Sequence, residues 1–296
     1  MFYLPFSYDE PLFRPPSEAY SLIFQLTIGC SWNKCAFCEM YTSKSFKLRN
    51  EKEIFAEIEQ TKGLADDTRK IFLADGNAFV LSFDKLIRIL DKLNQSFPRL
   101  ARISAYASSR DILSKTEEEL MQLKNAGLKL LYIGIESGDD ELLKMINKGE
   151  TYNSTEEALL KARNAGIKLS VMILNGLGGK HFSNQHSINS AKLINSIQPE
   201  YLSTLVLSLP YGINHFKKRF NGEFVQLNPY ELIKELGLFL QELNLVSTVF
   251  RSDHASNYLV LKGILDRDKE ILVNRINDFL QNPEDGKLRP EWSRGL

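Results

Sequence analysis

Cysteine is scarce in this chain of 296 residues: there are three, Cys30, Cys35 and Cys38, all within GCSWNKCAFCEMY from Gly29 to Tyr41. The shortage excludes a disulfide framework, because disulfides consume thiols in pairs. A closed structural zinc site takes four ligands, and no fourth cysteine exists. Nor is a histidine close in sequence, since His181, His186, His215 and His254 all lie far along the chain. Three convergent sulfurs suit a metal centre that keeps one coordination position for another ligand. A cytoplasmic location is the default expectation, and in a reducing compartment clustered thiols read as metal-binding or redox groups.

Other absences narrow the field further. No apolar run approaches the roughly 20 residues of a spanning helix, so no membrane partner is expected. The opening stretch MFYLPFSYDEPLFRPPSEAY lacks a basic region followed by an apolar one, which argues against a secretory signal. Net charge is absent too: 37 basic residues balance 37 acidic ones. The balance removes any global pull toward nucleic acid, which is not expected as a partner. Glycine and proline are unexceptional at 17 and 10, and 43% of residues are hydrophobic, as an ordinary globular core requires.

What is present is a rhythm of apolar runs and amphipathic stretches. Strands are expected at Ser21–Thr27, Lys70–Ala74, Arg102–Ala107, Lys129–Ile135, Lys168–Leu174 and Tyr201–Ser208. Helices are expected near Glu51–Lys62, Phe83–Gln95, Thr116–Ala126, Asp140–Ile146, Ser154–Ala165 and Asn184–Ser196. Continuous apolar strands separated by helices imply a parallel sheet covered by helices, an α/β fold. KNAGLKL (Lys124–Leu130) and RNAGIKL (Arg163–Leu169) each end a helix with glycine and launch a strand, a faint internal repeat. After Leu209 the pattern changes to a helix at Asn228–Asn244, a strand at Leu245–Phe250 and a helix at Asp268–Gln281. The expected organisation is a lead-in over 1–20, a core over 21–210 and an extension over 211–296 packed on it.

Every expected strand is followed by polar groups or glycines: the cysteine loop, DGNAF (Asp75–Phe79), SSRD (Ser108–Asp111), GIESG (Gly134–Gly138), NGLGG (Asn175–Gly179) and LPYG (Leu209–Gly212). In parallel α/β barrels functional groups gather at such exits. Six in register point to a shared site at one rim.

From Ser21 to Pro210 the sequence resembles the radical S-adenosylmethionine (radical SAM) superfamily, through the thiol cluster and the aromatic before its last cysteine, CAFC. Four residues separate the first two cysteines, where the family has three. The resemblance implies a partial (β/α)6 TIM-like barrel with a small C-terminal α/β extension. It implies that Cys30, Cys35 and Cys38 hold three irons of a [4Fe–4S] cluster, whose fourth iron chelates the amino and carboxylate groups of S-adenosylmethionine. One electron, from a donor such as flavodoxin or ferredoxin, would then split the cofactor to a 5′-deoxyadenosyl radical that takes a hydrogen atom from substrate.

The same resemblance assigns cofactor contacts. Asp75, Gly76 and Asn77 stand where the family places the motif that bonds the methionine amino group. Glu136, beside Ser137, is expected at the ribose hydroxyls, with a salt bridge to Arg110 or a lysine as the structural alternative. Asn175, Gly176 and Gly178 would let adenine lie against backbone, and Phe37 would touch it. Ser108, with Ser109 and Arg110, is expected at the cofactor carboxylate or the substrate. In FRSDHASNYL (Phe250–Leu259), His254 is the candidate to join Arg110 in facing substrate, with Arg251, Asp253 and Asn257 nearby; a surface loop is the simpler alternative. No cysteines remain for an additional cluster or a methyl carrier, and the lead-in is too short for a cobalamin domain. A small organic substrate is expected, because neither a basic tract nor an appended RNA-binding segment is visible. The rival readings are a non-catalytic cluster- or haem-binding protein on the same scaffold, a zinc protein and an RNA-modifying enzyme.

Overall fold

The computed structural model describes residues 5–284 and 288–294; the first four residues of the expected lead-in and residues 285–287 and 295–296 of the extension fall outside them. The chain divides into two compact units.

The first unit runs to Asn33, then takes in Cys38–Ile133 and Glu157–Leu169. Its strands are β1 (Leu22–Gln25), β2 (Lys70–Ala74), β3 (Arg102–Tyr106) and most of β4 (Leu128–Glu136). They pair in chain order, each parallel to the next. Helices α1 (Glu51–Gln60), α2 (Phe83–Ser96), α3 (Ser109–Leu113) and α4 (Glu117–Asn125) connect them, and most of α6 (Tyr152–Asn164) belongs here. Phe24, Ile71, Phe72, Leu73, Ile103 and Leu131 are buried, which explains why these strands read as continuous apolar runs. The capping box expected from Thr116 and Glu119 forms at the start of α4.

The second unit comprises Lys34–Phe37, Gly134–Glu156 and Ser170–Leu296. Here β5 (Lys168–Asn175) pairs parallel with β6 (Tyr201–Val206), β6 pairs parallel with β7 (Thr248–Ser252), and β7 pairs antiparallel with β8 (Leu261–Leu265). Its helices are α5 (Asp140–Met145), α7 (Gly179–Ile197), α8 (Ile213–Arg219), α9 (Pro229–Glu242) and α10 (Lys269–Gln281). Pro229 opens α9 beside an Asn228–Glu231 capping box.

The α/β class and all six core strands are as expected, and so are the two repeat glycines. Gly127 at φ +99° and Gly166 at φ +80° occupy the left-handed region that ends a helix. Three local differences have plain causes. The SSRD exit is not an open loop but the capped helix α3, because Ser108 accepts from the Asp111 backbone and Asp111 answers it. Helix α7 begins at Gly179, five residues early, with Gly178 as its cap. The short strand β8 and the seven-residue α8 carry too few periodic positions to stand out in sequence.

Candidate cofactor site

In the first unit the cysteine loop leaves β1 through a two-residue ladder, Thr27–Ile28 against Lys47–Leu48. Asp75, fully buried at the exit of β2, holds that loop. Its Oδ2 accepts from the Gly29 N–H at 3.1 Å, from Gln25 Nε2 at 3.3 Å and from Lys44 Nζ at 3.2 Å. Lys44 is itself buried, so this is an ion pair withdrawn from water. Neither Asp75 Oδ1 nor the buried Tyr41 hydroxyl completes a hydrogen bond. Burial, followed by the Asp75 charge, pushes the Tyr41 phenol well above its ordinary value.

Gly76 fits under the first cysteine. A Cβ there would lie 2.5 Å from the Gly29 carbonyl oxygen and 2.6 Å from Cys30 Cα, so only glycine allows this approach. Asn77 reaches the same loop: its Oδ1 accepts from the Ser31 N–H at 3.0 Å, and its Nδ2 donates to Ser31 Oγ at 2.8 Å and Asp111 Oδ2 at 2.9 Å. Ser108 serves as the α3 cap, and Arg110 stacks over the Trp32 ring at 4.4 Å. Lys115, unremarked in the sequence, donates to the Phe79 and Asp111 carbonyls at 2.8 and 3.2 Å, and burial lowers its pKa to about 8.

In the second unit, Cys35 is held by its backbone: Arg219 Nη2 donates to its carbonyl at 2.8 Å. The next residue, Ala36, donates to the Ile146 carbonyl at 2.8 Å. Ala36 and Phe37 pack with Leu174, Leu177, Leu207, Leu209 and Phe216.

Glu136 ends β4 in the left-handed region at φ +69°. Its side chain folds back over Gly134, where a Cβ would collide with Oε1. The nearest cation is Lys148, 4.0 Å away, so the lysine alternative supplies its salt bridge. That contact is too long to offset burial, and the Glu136 pKa rises to about 7 while Oε2 lacks a partner. Ser137 is buried and committed, bonding His186 Nδ1 at 2.8 Å and accepting from the Asp139 N–H at 3.0 Å. Burial lowers the His186 pKa to about 4, which keeps that imidazole neutral.

The NGLGG loop is docked on α9. Asn175 Nδ2 donates to the Leu232 carbonyl at 3.0 Å, and the Gly176 N–H donates to Glu235 Oε1 at 2.6 Å. Gly176 has φ +83°, and a Cβ there would meet Leu232 Cδ2 at 2.6 Å. A Cβ at Gly178 would lie 2.5 Å from Phe182 Cβ. Burial raises Glu235 to about 7 against hydrogen bonds from Ser183 and Gly176. His254 is half-buried; its Nδ1 bonds Ser256 Oγ at 2.9 Å and accepts from the Ser256 N–H at 3.1 Å. Asn257 donates to the Thr204 carbonyl at 2.8 Å, and Arg289 Nη1 donates to the His254 carbonyl at 2.6 Å. The loop is thus tied to β6 and to the chain's final segment.

Lys44, Tyr41, Lys148, His186 and Glu235 escaped the sequence reading. One signal was available: Glu235 lies among Leu232, Leu236 and Phe239 on the apolar face of an amphipathic helix.

The donor set fits one class of metal group. None of the three cysteines is in a disulfide, and all three are partly exposed. Among the described residues, no three His, Cys, Asp or Glu side chains gather closely enough for a single ion. A cubane takes its thiolates at separate corners, a wider requirement that three cysteines spread over nine residues can meet.

Comparison with known proteins agrees. The family model for the Radical SAM superfamily matches residues 24–188, more than half of the chain. The heme chaperone HemW of Bacillus subtilis (strain 168) is 25% identical over 164 residues, covering 55% of this chain and 42% of that protein. The chain therefore spans less than half the length of that relative. Among solved structures, coproporphyrinogen III oxidase (HemN) from Escherichia coli, a radical SAM enzyme, aligns with TM-score 0.55 at 17% identity over 75% of this chain and 52% of that one. Methylornithine synthase (PylB) aligns with TM-score 0.51 at 15% identity, over 88% and 81%. At these identities the likeness is one of fold, which is the TIM-like barrel class. By its cysteine loop, its fold and the family match, the chain belongs to the radical SAM superfamily.

Proposed function

We propose that this protein holds a [4Fe–4S] cluster on Cys30, Cys35 and Cys38 and reductively cleaves S-adenosylmethionine to a 5′-deoxyadenosyl radical, which removes hydrogen from a small organic substrate. The observation that carries this reading is the trio of part-exposed cysteines, none in a disulfide, inside the family match. The cluster, when bound, supplies one electron and an iron site for the cofactor's amino and carboxylate groups.

The protein's own residues supply position. Asp75, neutralised by Lys44, holds the Gly29 amide and thereby the start of the cysteine loop. Gly76 and Asn77 support Cys30 and Ser31 from below, so their part in cofactor binding is to shape the loop and to offer backbone groups. Glu136 Oε2, buried and without a partner, is available to a ribose hydroxyl. Asn175 and Gly176, clamped by α9, present backbone to the adenine, with Phe37 as its apolar neighbour. Arg110 and His254 are the groups assigned to the substrate side.

The test is anaerobic incubation of reconstituted, dithionite-reduced protein with S-adenosylmethionine. Release of 5′-deoxyadenosine is expected, and Cys35→Ala should abolish it. A brown, cluster-loaded protein that releases none would overturn the cleavage reading. The likeness to HemW favours one second reading, a haem-binding protein that retains the cluster without turnover. Tight haem binding by the reconstituted chain, with no 5′-deoxyadenosine, would select it.

A further inference from the structure

The second unit contains an open cavity of about 450 Å³ that none of the assignments above uses. It lies at the exit of β6, where Leu207, Leu209, Ile213 and Leu232 form an aliphatic wall. Among the described residues, its only charged lining groups are one anion, Glu291, and one cation, Arg294. A concave, largely apolar wall with a few placed polar groups is the pattern of a small-molecule site.

The wall is shared with residues assigned above to the adenine. The Leu232 carbonyl accepts from Asn175 Nδ2 at 3.0 Å, and its Cδ2 covers Gly176. Leu207, Leu209 and Ile213 pack in the same cluster as Phe37.

The charged end is held in place from several sides. Glu291 and Arg294 flank the single turn Glu291–Ser293, and Arg294 Nη1 donates to Glu291 Oε2 at 2.6 Å. Such a pair could serve only to close that turn. Arg294 does more: its Nε donates to the Ser256 carbonyl at 2.9 Å, and its guanidinium lies 3.6 Å from the centre of the Tyr258 ring. Both Ser256 and Tyr258 line the cavity, and the Tyr258 hydroxyl donates to Glu291 Oε1. These bonds engage two of the five guanidinium N–H groups and one lone pair of each carboxylate oxygen. Both charges keep capacity for a further partner.

We propose that this cavity binds a free α-amino acid with an apolar side chain. The ligand's carboxylate pairs with Arg294, its ammonium with Glu291, and its side chain lies on the aliphatic wall. The inference deepens the function proposed above by naming a substrate class, and it rests on that reading only for the link to the cofactor. A lone carboxylate would gain Arg294 and be repelled by the adjacent Glu291; a lone amine would meet the reverse. A molecule carrying both signs on neighbouring atoms satisfies both. A peptide terminus carries one sign and is disfavoured by the same argument.

No wall of the cavity is a cysteine, so the test uses the full chain whether or not a cluster is loaded. The probes are L-leucine, L-methionine and L-phenylalanine, titrated calorimetrically beside their deaminated acids and decarboxylated amines (4-methylpentanoate and isopentylamine for leucine). At least one amino acid should bind, and its acid and its amine should each bind about tenfold more weakly, as loss of a charged hydrogen-bond partner implies. Arg294→Gln should weaken the amino acid by a similar factor. Because Arg294 also tethers the final segment, Glu291→Gln is the sharper variant: it keeps an acceptor for Tyr258 and Arg294. It should lower amino-acid affinity similarly while leaving the deaminated acid undiminished. Failure of all three amino acids to bind overturns the proposal. So does equal affinity for an amino acid and its deaminated acid, or an amino-acid affinity unchanged in Glu291→Gln. If an amino acid binds as expected but dithionite releases no 5′-deoxyadenosine, the cleavage reading fails and the site stands. Release of 5′-deoxyadenosine without amino-acid binding overturns the site and leaves the cleavage reading intact.

Discussion

Three buried carboxylates, one in the first unit and two in the second, are held in different ways. In the first, Asp75 has a full ion pair to Lys44 and two further donors in Gln25 and the Gly29 amide. In the second, Glu136 has only a 4.0 Å approach from Lys148, and Glu235 has the Gly176 N–H and Ser183. Both glutamates are consequently pushed to about 7. All three are buried, but only Asp75 has a lysine at ion-pair distance well inside 4 Å. One unit supports the cysteine loop with a fixed charge pair. The other carries carboxyl groups whose protonation changes near neutrality.

The comparison can be broken most severely at Lys44. Lys44→Met would leave the Asp75 carboxylate buried without its cation, and the expected loss is about 3–5 kcal/mol in denaturant unfolding. An unchanged midpoint would show that the pair is not what steadies this exit.

The second unit makes a pH prediction. A carboxyl whose folded pKa is raised stabilises the fold fully below its unfolded value, near 4.5, and loses that contribution as pH rises through about 7. Stability should therefore fall between pH 4.5 and 7 by about 3 kcal/mol per glutamate, a figure good to order of magnitude. Glu136→Gln and Glu235→Gln should each flatten that dependence, as thermal melts across pH 4–9 would show. Glu235→Gln keeps an acceptor for Gly176, so its loop should stay ordered. An undiminished slope in both variants would contradict the raised pKa values.

A smaller effect is expected at Gly76. Gly76→Ala places a methyl 2.5 Å from the Gly29 oxygen and should cost about 1–3 kcal/mol, with a matching loss of cluster occupancy measured as iron per chain. Wild-type stability and iron content would mean that the cysteine loop moves freely away.

Much of this architecture was legible beforehand. Apolar runs bounded by glycines located all six core strands, because buried parallel strands must be apolar on both faces. The three cysteines stood out through composition and spacing, and Asp75 and Gly76 through the family resemblance. Lys44, Lys148 and His186 did not, because a charged or polar residue reads as solvent-facing until a buried partner is placed against it. Likewise, that Ser108 caps α3 and Ser137 is bonded to His186 is seen only once the fold is in place.

The sequence by itself determined the α/β class, the family and the three thiols, since periodicity and motif spacing are local properties carried along the chain. Only the tertiary structure decided which carboxylates meet a cation, which glycines lie beneath a cysteine, and that α9 of the extension grips the NGLGG loop. Those facts depend on contacts across tens to nearly two hundred residues, such as Arg219 on Cys35, and no local pattern encodes them.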